Sequence, residues 1–125
     1  MPYYMGIFEN PEFQNRKRLF GLKQLTDSGL LNHLSALEKA KLVIIFGSFS
    51  RYDWYDHSDI DIFIYGNDDE FEQGKYELKL DREIQLFNAK NKKDLKKMGS
   101  GLIQNMIEGF IVKGDLEQLG VRLYV

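Results

Sequence analysis

Lys41-Leu42-Val43-Ile44-Ile45-Phe46-Gly47-Ser48, followed after ten intervening residues by Asp59-Ile60-Asp61-Ile62-Phe63-Ile64-Tyr65, decides how this 125-residue chain is read. The first run is short, apolar and rich in β-branched residues, which predicts a buried strand closed by a tight turn at Gly47-Ser48. Gly47 has no Cβ to collide with a phosphate. Ser48 offers its backbone N–H and its hydroxyl to phosphate oxygens where a helix begins. The turn therefore has the makings of an anion site.

The second run alternates acidic with apolar residues before becoming wholly apolar, the pattern of a strand with one end in a site and the rest in a core. Residues i and i+2 of a strand share a face, about 6.5 to 7 Å apart. Asp59 and Asp61 therefore point one way, and Ile60, Ile62 and Ile64 point into a core. Two carboxylates held side by side repel each other unless cations fill the gap. Mg²⁺ suits that gap, since it takes oxygen ligands and bridges carboxylates to substrate phosphates. An Asp-x-Asp alone is more often a solvated strand edge or turn than a metal site, and it is the Gly-Ser at this distance that turns the balance. Ile60 and Ile62 interrupt a calcium-loop pattern, and no Gly-Lys-Ser/Thr follows Gly47 as a Walker-type phosphate loop requires.

The chain resembles the minimal nucleotidyltransferases of the DNA polymerase beta-like superfamily. The resemblance runs from about Ala40 to Gly114 and rests on Phe46 before Gly47-Ser48, Arg51 three residues on, Ser58 before Asp59-x-Asp61, and the late Ile107-Glu108-Gly109-Phe110-Ile111-Val112 segment. It implies an α+β fold, a small mixed sheet flanked by helices. It implies that Gly47, Ser48, Arg51 and Ser58 face the phosphates of ATP or another nucleoside triphosphate, and that Asp59 and Asp61 hold Mg²⁺ as a pair of ions. A guanidinium such as that of Arg51 offers several donors in a fixed fork, which suits phosphate.

The family's third carboxylate lies between apolar neighbours on a later strand, and the candidate here is Arg82-Glu83-Ile84-Gln85-Leu86-Phe87. Strict apolar flanking selects Gln85. Glu83 is the nearest acid on the same face, and Asp81 lies two residues further back. Glu83 is the expected third catalytic acid beside Asp59 and Asp61; with Gln85 in that place the site lacks its base. The implied reaction is attack of an acceptor hydroxyl on the α-phosphate with loss of pyrophosphate. Some minimal nucleotidyltransferases are antitoxins that transfer AMP to a tyrosine of a HEPN-type ribonuclease, so a helical HEPN-type partner protein is the implied acceptor, in a homo- or hetero-oligomer. The alternative is a nucleotide-binding, regulatory subunit of the same fold without turnover.

Around this centre the chain reads as one domain over residues 1–125, with residues 1–40 an N-terminal helical extension. Pro11 to about Leu25 suits a moderately amphipathic helix, and Thr26-Asp27-Ser28 offers caps for a second helix through Leu37 with leucines at 30, 31, 34 and 37. Strands are expected at about 41–46, 59–65, 82–88 and 110–112, with another over Val121–Val125. Asn91 to about Ile107 reads as one helix striped by Leu95, Met98, Leu102, Ile103 and Met106, weakened by Gly99 and Gly101. Tyr52, Trp54 and Tyr55, between the turn and the carboxylates, suit capping of the core, with stacking on a base or ribose as the alternative. His57 suits a surface position.

Composition fits this reading. A chain with 43% hydrophobic residues and two prolines supports a packed core. A formal charge of −2 argues against a general nucleic-acid binder, and the five lysines between Lys90 and Lys97 suit a solvated helix face. No cysteine is present, which excludes disulfides and thiolate metal sites. No signal peptide or membrane-length apolar run is evident, so the cytoplasm is the expected location.

Overall fold

The computed structural model describes residues 21–47 and 59–120. The expectations for Ser48, Arg51, Ser58, the aromatic stretch from Arg51 to His57, the strand at Val121–Val125 and the first helix before residue 21 lie outside the described residues.

Residues 21–27 are helical. They are followed by α1 (Leu30–Ser35), β1 (Ala40–Phe46), β2 (Ile60–Gly66), α2 (Gln73–Leu80), β3 (Ile84–Ala89), α3 (Lys92–Lys97), α4 (Ser100–Ile107), β4 (Phe110–Lys113) and a 3-10 turn at Leu116–Leu119. The four strands form one mixed sheet in the order β3-β2-β1-β4. β1 runs antiparallel to both β2 and β4, and β2 runs parallel to β3. The expected α+β architecture, a small mixed sheet between helices, is the one observed.

The period of two in the strands sorts side chains to two buried faces. Val43 and Ile45 of β1 join Ile60, Ile62 and Ile64 of β2 on one side, where Leu25, Leu30, Leu34, Leu37 and Tyr76 cover them. Leu42, Ile44 and Phe46 join Phe63 and Tyr65 on the other, covered by Leu95, Met106 and Leu116. Each large aliphatic side chain so buried stabilises the fold by roughly 1.5–3 kcal/mol, and the two central strands carry most of them. The leucines of residues 25–37 thus belong to the same core as the sheet. The cap expected at Thr26-Asp27-Ser28 is corrected: α1 starts from Gly29, φ 84°, without a side-chain cap, and the Ser28 hydroxyl accepts from the Leu30 N–H at 3.2 Å from one residue further out.

The parallel pairing of β2 and β3 needs a crossover, and α2 supplies it. Its sequence, Gln-Gly-Lys-Tyr-Glu-Leu-Lys-Leu, has no apolar stripe, buries only Tyr76 and leaves Leu78 86% exposed, so periodicity does not announce it. Its polar residues serve the outer edge of β3. Gln73 Nε2 donates to the Ile84 carbonyl at 2.7 Å, and Glu77 Oε2 accepts from the Ile84 N–H at 2.9 Å. These bonds satisfy backbone groups that an edge strand otherwise leaves open.

The single helix expected over Asn91–Ile107 is corrected to two. Met98 (ψ 137°) and Gly99 (ψ 152°) are extended, so α3 ends and α4 begins there. Glycine gives up more conformational freedom in a helix than any other residue, and here Gly99 marks a break rather than a weak point. The apolar stripe survives the break, because Leu95, Met98, Leu102, Ile103 and Met106 all meet the same core cluster. The lysines at 90, 92, 93, 96 and 97 are exposed, the solvated face that their spacing implies.

Gly109 sets how closely β4 joins β1. A Cβ there would lie 2.7 Å from the Ile45 carbonyl oxygen and from Phe46 Cβ, and 2.8 Å from Ile44 Cγ2. Gly109→Ala is therefore expected to lower the unfolding free energy by about 1–3 kcal/mol through overpacking against β1. Urea denaturation checks this, with the midpoint falling and the slope unchanged.

Candidate functional site

The carboxylates stand where three strands meet at one end of the sheet. In the strand pairings Asp61 lies opposite Phe46, the last residue of β1, and opposite Gln85 of β3. Asp61 is half-buried in a strand whose other residues are all buried. Asp59, two residues earlier and also half-buried, directly precedes β2 and shares the Asp61 face by strand geometry. Further along the same face Phe63 and Tyr65 are buried under α3 and α4. The two half-buried aspartates thus stand at the end of an otherwise packed surface.

Gly47 lies directly against Asp61. It takes a left-handed conformation, φ 81°, and a Cβ on it would collide with the Asp61 carboxylate. Its missing side chain makes room first for the protein's own aspartate, and the end of β1 is held against the Asp61 carboxylate instead of merely near it. Below the turn, the Phe46 and Phe87 rings pack with centroids 5.5 Å apart, a rigid floor of the kind that keeps site residues in place.

On β3 the two candidates for the third position are separated by the register. Gln85 faces Asp61 across the β2–β3 pairing, and its amide Nε2 donates to Asp59 Oδ2 at 3.1 Å. Glu83 precedes β3, and its carbonyl accepts from the Ile60 N–H at 2.9 Å, which sets it level with Asp59. Its exposed side chain lines an open recess of about 560 Å³ together with Asp59, Glu77, Leu78, Asp81 and Arg82. Asp81 ends α2 in a left-handed conformation, φ 53°. Arg82 is 93% buried, with its guanidinium Nη2 donating to Gln24 Oε1 at 3.2 Å, and so ties the rim of the recess to the N-terminal helical segment. Nothing in the sequence around Arg82 marks it as buried; its partner lies 58 residues away.

Among the described residues no group of three or more His, Cys, Asp or Glu side chains is placed to hold a metal. The two aspartates suit Mg²⁺ nevertheless, because that ion is commonly held by one or two carboxylates and completes its shell with water and substrate phosphates. The donor set is all oxygen, as a hard cation prefers.

A mixed sheet whose first strand leads into a glycine packed on Asp61, with Asp59 two residues before it, defines an α+β domain with a pair of carboxylates at one sheet end. The chain belongs to the polymerase beta nucleotidyltransferase family, whose model matches residues 30–114. No curated protein matches the sequence significantly. Several solved structures resemble its fold. A toxin–antitoxin complex with AMP-PNP is 22% identical, with 82% of this chain and 77% of that one covered and a TM-score of 0.47. The complex of tri-AMPylated Shewanella oneidensis HEPN toxin with MNT antitoxin is 21% identical over 83% and 75% of the two chains, with a TM-score of 0.41. A putative nucleotidyltransferase from Sulfolobus solfataricus is 17% identical over 78% and 84%, with a TM-score of 0.38.

Gly47→Ala is expected to cost roughly 1–2 kcal/mol from the left-handed backbone alone. The added methyl group also displaces the Asp61 carboxylate, so the total loss of stability is expected to exceed that of the backbone alone. Thermal and urea melting check this; a loss of no more than about 2 kcal/mol shows that Asp61 does not depend on this close approach.

Proposed function

We propose that this protein is a Mg²⁺-dependent nucleotidyltransferase of the minimal type, moving AMP from ATP onto an acceptor hydroxyl of a partner protein. The observation that carries the reading is the packing of Gly47 on Asp61 at the end of paired strands, inside the segment that matches the family. Mg²⁺ bound by Asp59 and Asp61 as a pair of ions would neutralise charge on the attacking and leaving oxygens of an in-line displacement. The Gly47-Ser48 turn binds the phosphates through backbone N–H groups and the Ser48 hydroxyl, Ser58 adds a second hydroxyl, and Arg51 spreads its guanidinium over phosphate oxygens. The acceptor oxygen attacks the α-phosphorus and pyrophosphate departs. Glu83, on the recess it shares with Asp59, takes the proton from the acceptor hydroxyl, a contribution of about 10²–10⁴-fold for a general base.

The open recess beside Asp59 suits an acceptor presented on the surface of another protein. A HEPN-type helical protein, the kind of toxin held by the MNT antitoxin of Shewanella oneidensis, is the proposed acceptor, with the present chain as the antitoxin of a hetero-oligomer in the cytoplasm. The domain of the proposal is the whole chain, residues 1–125, with residues 1–40 extending the matched segment. One observation favours a second reading, a nucleotide-binding regulatory subunit without turnover: the residue facing Asp61 on β3 is the neutral Gln85.

Incubation with Mg²⁺ and α-labelled ATP, alone and with the protein encoded beside it, decides between the readings. Label on the neighbouring protein, reduced at least about 100-fold by Asp61→Asn, is the expected result, because misplacing reacting groups by about 1 Å already costs that much. Mg²⁺-dependent ATP binding without any transfer supports the regulatory reading instead. Glu83→Gln is expected to lower the transfer rate by about 10²-fold while leaving ATP binding unchanged.

A further inference from the structure

We propose that Gln85 is a positioning residue that holds the Asp59 carboxylate in its metal-binding orientation and keeps the site at two negative charges, so that metal binds tightly only together with the nucleotide's phosphates. This inference rests on the reading of Asp59 and Asp61 as Mg²⁺ ligands.

Three observations carry it. Gln85 is level with Asp61 in the parallel pairing of β2 and β3, so its side chain leaves β3 on the same face as both aspartates. Its Nε2 donates to Asp59 Oδ2 at 3.1 Å, a bond from a neutral donor to an ionised acceptor. A carboxylate that accepts from an amide at one oxygen is restrained from turning about its own bond, so both its oxygens keep a defined direction. That is what an outer partner of a metal ligand does: it fixes the ligand's orientation before the ion arrives.

The third observation is chemical. Asp59 lies where Asp61 already contributes a negative charge two residues along the strand, and a third carboxylate at Gln85 would add repulsion that only a cation relieves. An amide of the same shape avoids this. It binds the carboxylate as a donor, so the strand end is stable without metal, and it lowers the charge available to attract a divalent ion. The missing charge is supplied by the triphosphate, which brings both anionic oxygens and the metal. The site therefore charges with metal and nucleotide as a unit.

The test uses the full chain and Mn²⁺ alone, with free Mn²⁺ counted by electron paramagnetic resonance, and melting temperatures recorded beside it. The parent is expected to bind Mn²⁺ weakly, and a non-hydrolysable ATP analogue to tighten that binding. Gln85→Leu, which keeps the volume and removes the donor, is expected to weaken Mn²⁺ binding about tenfold, the lower end of the effect of losing a ligand's outer partner. Gln85→Glu is expected to melt lower than the parent without metal and to recover on addition of Mn²⁺, a metal-dependent rescue that a merely structural glutamine would not produce. Parent-like Mn²⁺ affinity in Gln85→Leu, together with a Gln85→Glu melting temperature that ignores Mn²⁺, overturns the proposal. Asp61→Asn separates the two levels. If it abolishes Mn²⁺ binding while both Gln85 variants are silent, the metal site stands and the positioning role falls; if Asp61→Asn binds Mn²⁺ as the parent does, the reading of the site falls and the proposal with it.

Discussion

The close approach of Gly47 to the Asp61 carboxylate is the constraint on which the rest of the site depends. β1 must end where it does, because one more residue with a side chain would occupy the space of the aspartate. The chain must then turn through a left-handed conformation, which glycine adopts at little cost and other residues do not. The antiparallel register that sets Phe46 opposite Asp61 brings the turn and the acid to the same height. A shift of that register by one residue would send Asp61 into the isoleucine core and Ile60 or Ile62 into the site.

Such a shift is prevented by the way the two central strands are buried. Ile60, Ile62 and Ile64 fill one core cluster, while Phe63 and Tyr65 fill the other, so neither face of β2 tolerates an exchange. The cost of holding two like charges together is met by this packing, which fixes the strands independently of anything bound at their ends. Gly109 extends the same logic to the opposite side of β1, where a bare backbone lets the β4 connection lie against Ile45 and Phe46. On the far side α2 and β3 are joined by Gln73 and Glu77, whose polar atoms complete the backbone of Ile84. β3, which carries Gln85 and directly follows Glu83, is thereby tied to α2 at the level of the aspartates.

The division between the two β3 candidates shows what strand pairing adds to a motif. From the sequence, Glu83 and Gln85 are equivalent in face and differ only in charge and flanking residues. In the fold they differ in height: Gln85 is level with Asp61 and donates to Asp59, whereas Glu83 is level with Asp59 and lines the recess outside the sheet. The two residues therefore face different surroundings, one the Asp59 carboxylate and one the recess, and neither displaces the other.

The sequence by itself determined the elements whose signal is local. The apolar runs of β1 and β2, the glycine turn, the spacing of the two aspartates and the leucine face of α1 were legible because period, side-chain branching and the absence of a Cβ act within a few residues of the chain. The family was legible for the same reason, since its motif lies in those runs. The tertiary structure decided what depends on long-range pairing. α2 has no apolar stripe and exists because a parallel β2–β3 pair requires a crossover; the expected helix over Asn91–Ile107 broke at Met98-Gly99 while its apolar residues stayed on one core. The partners of Gln85 and Arg82 lie 26 and 58 residues away, distances over which no sequence pattern operates and only the closing of the sheet brings hydrogen-bonding groups together.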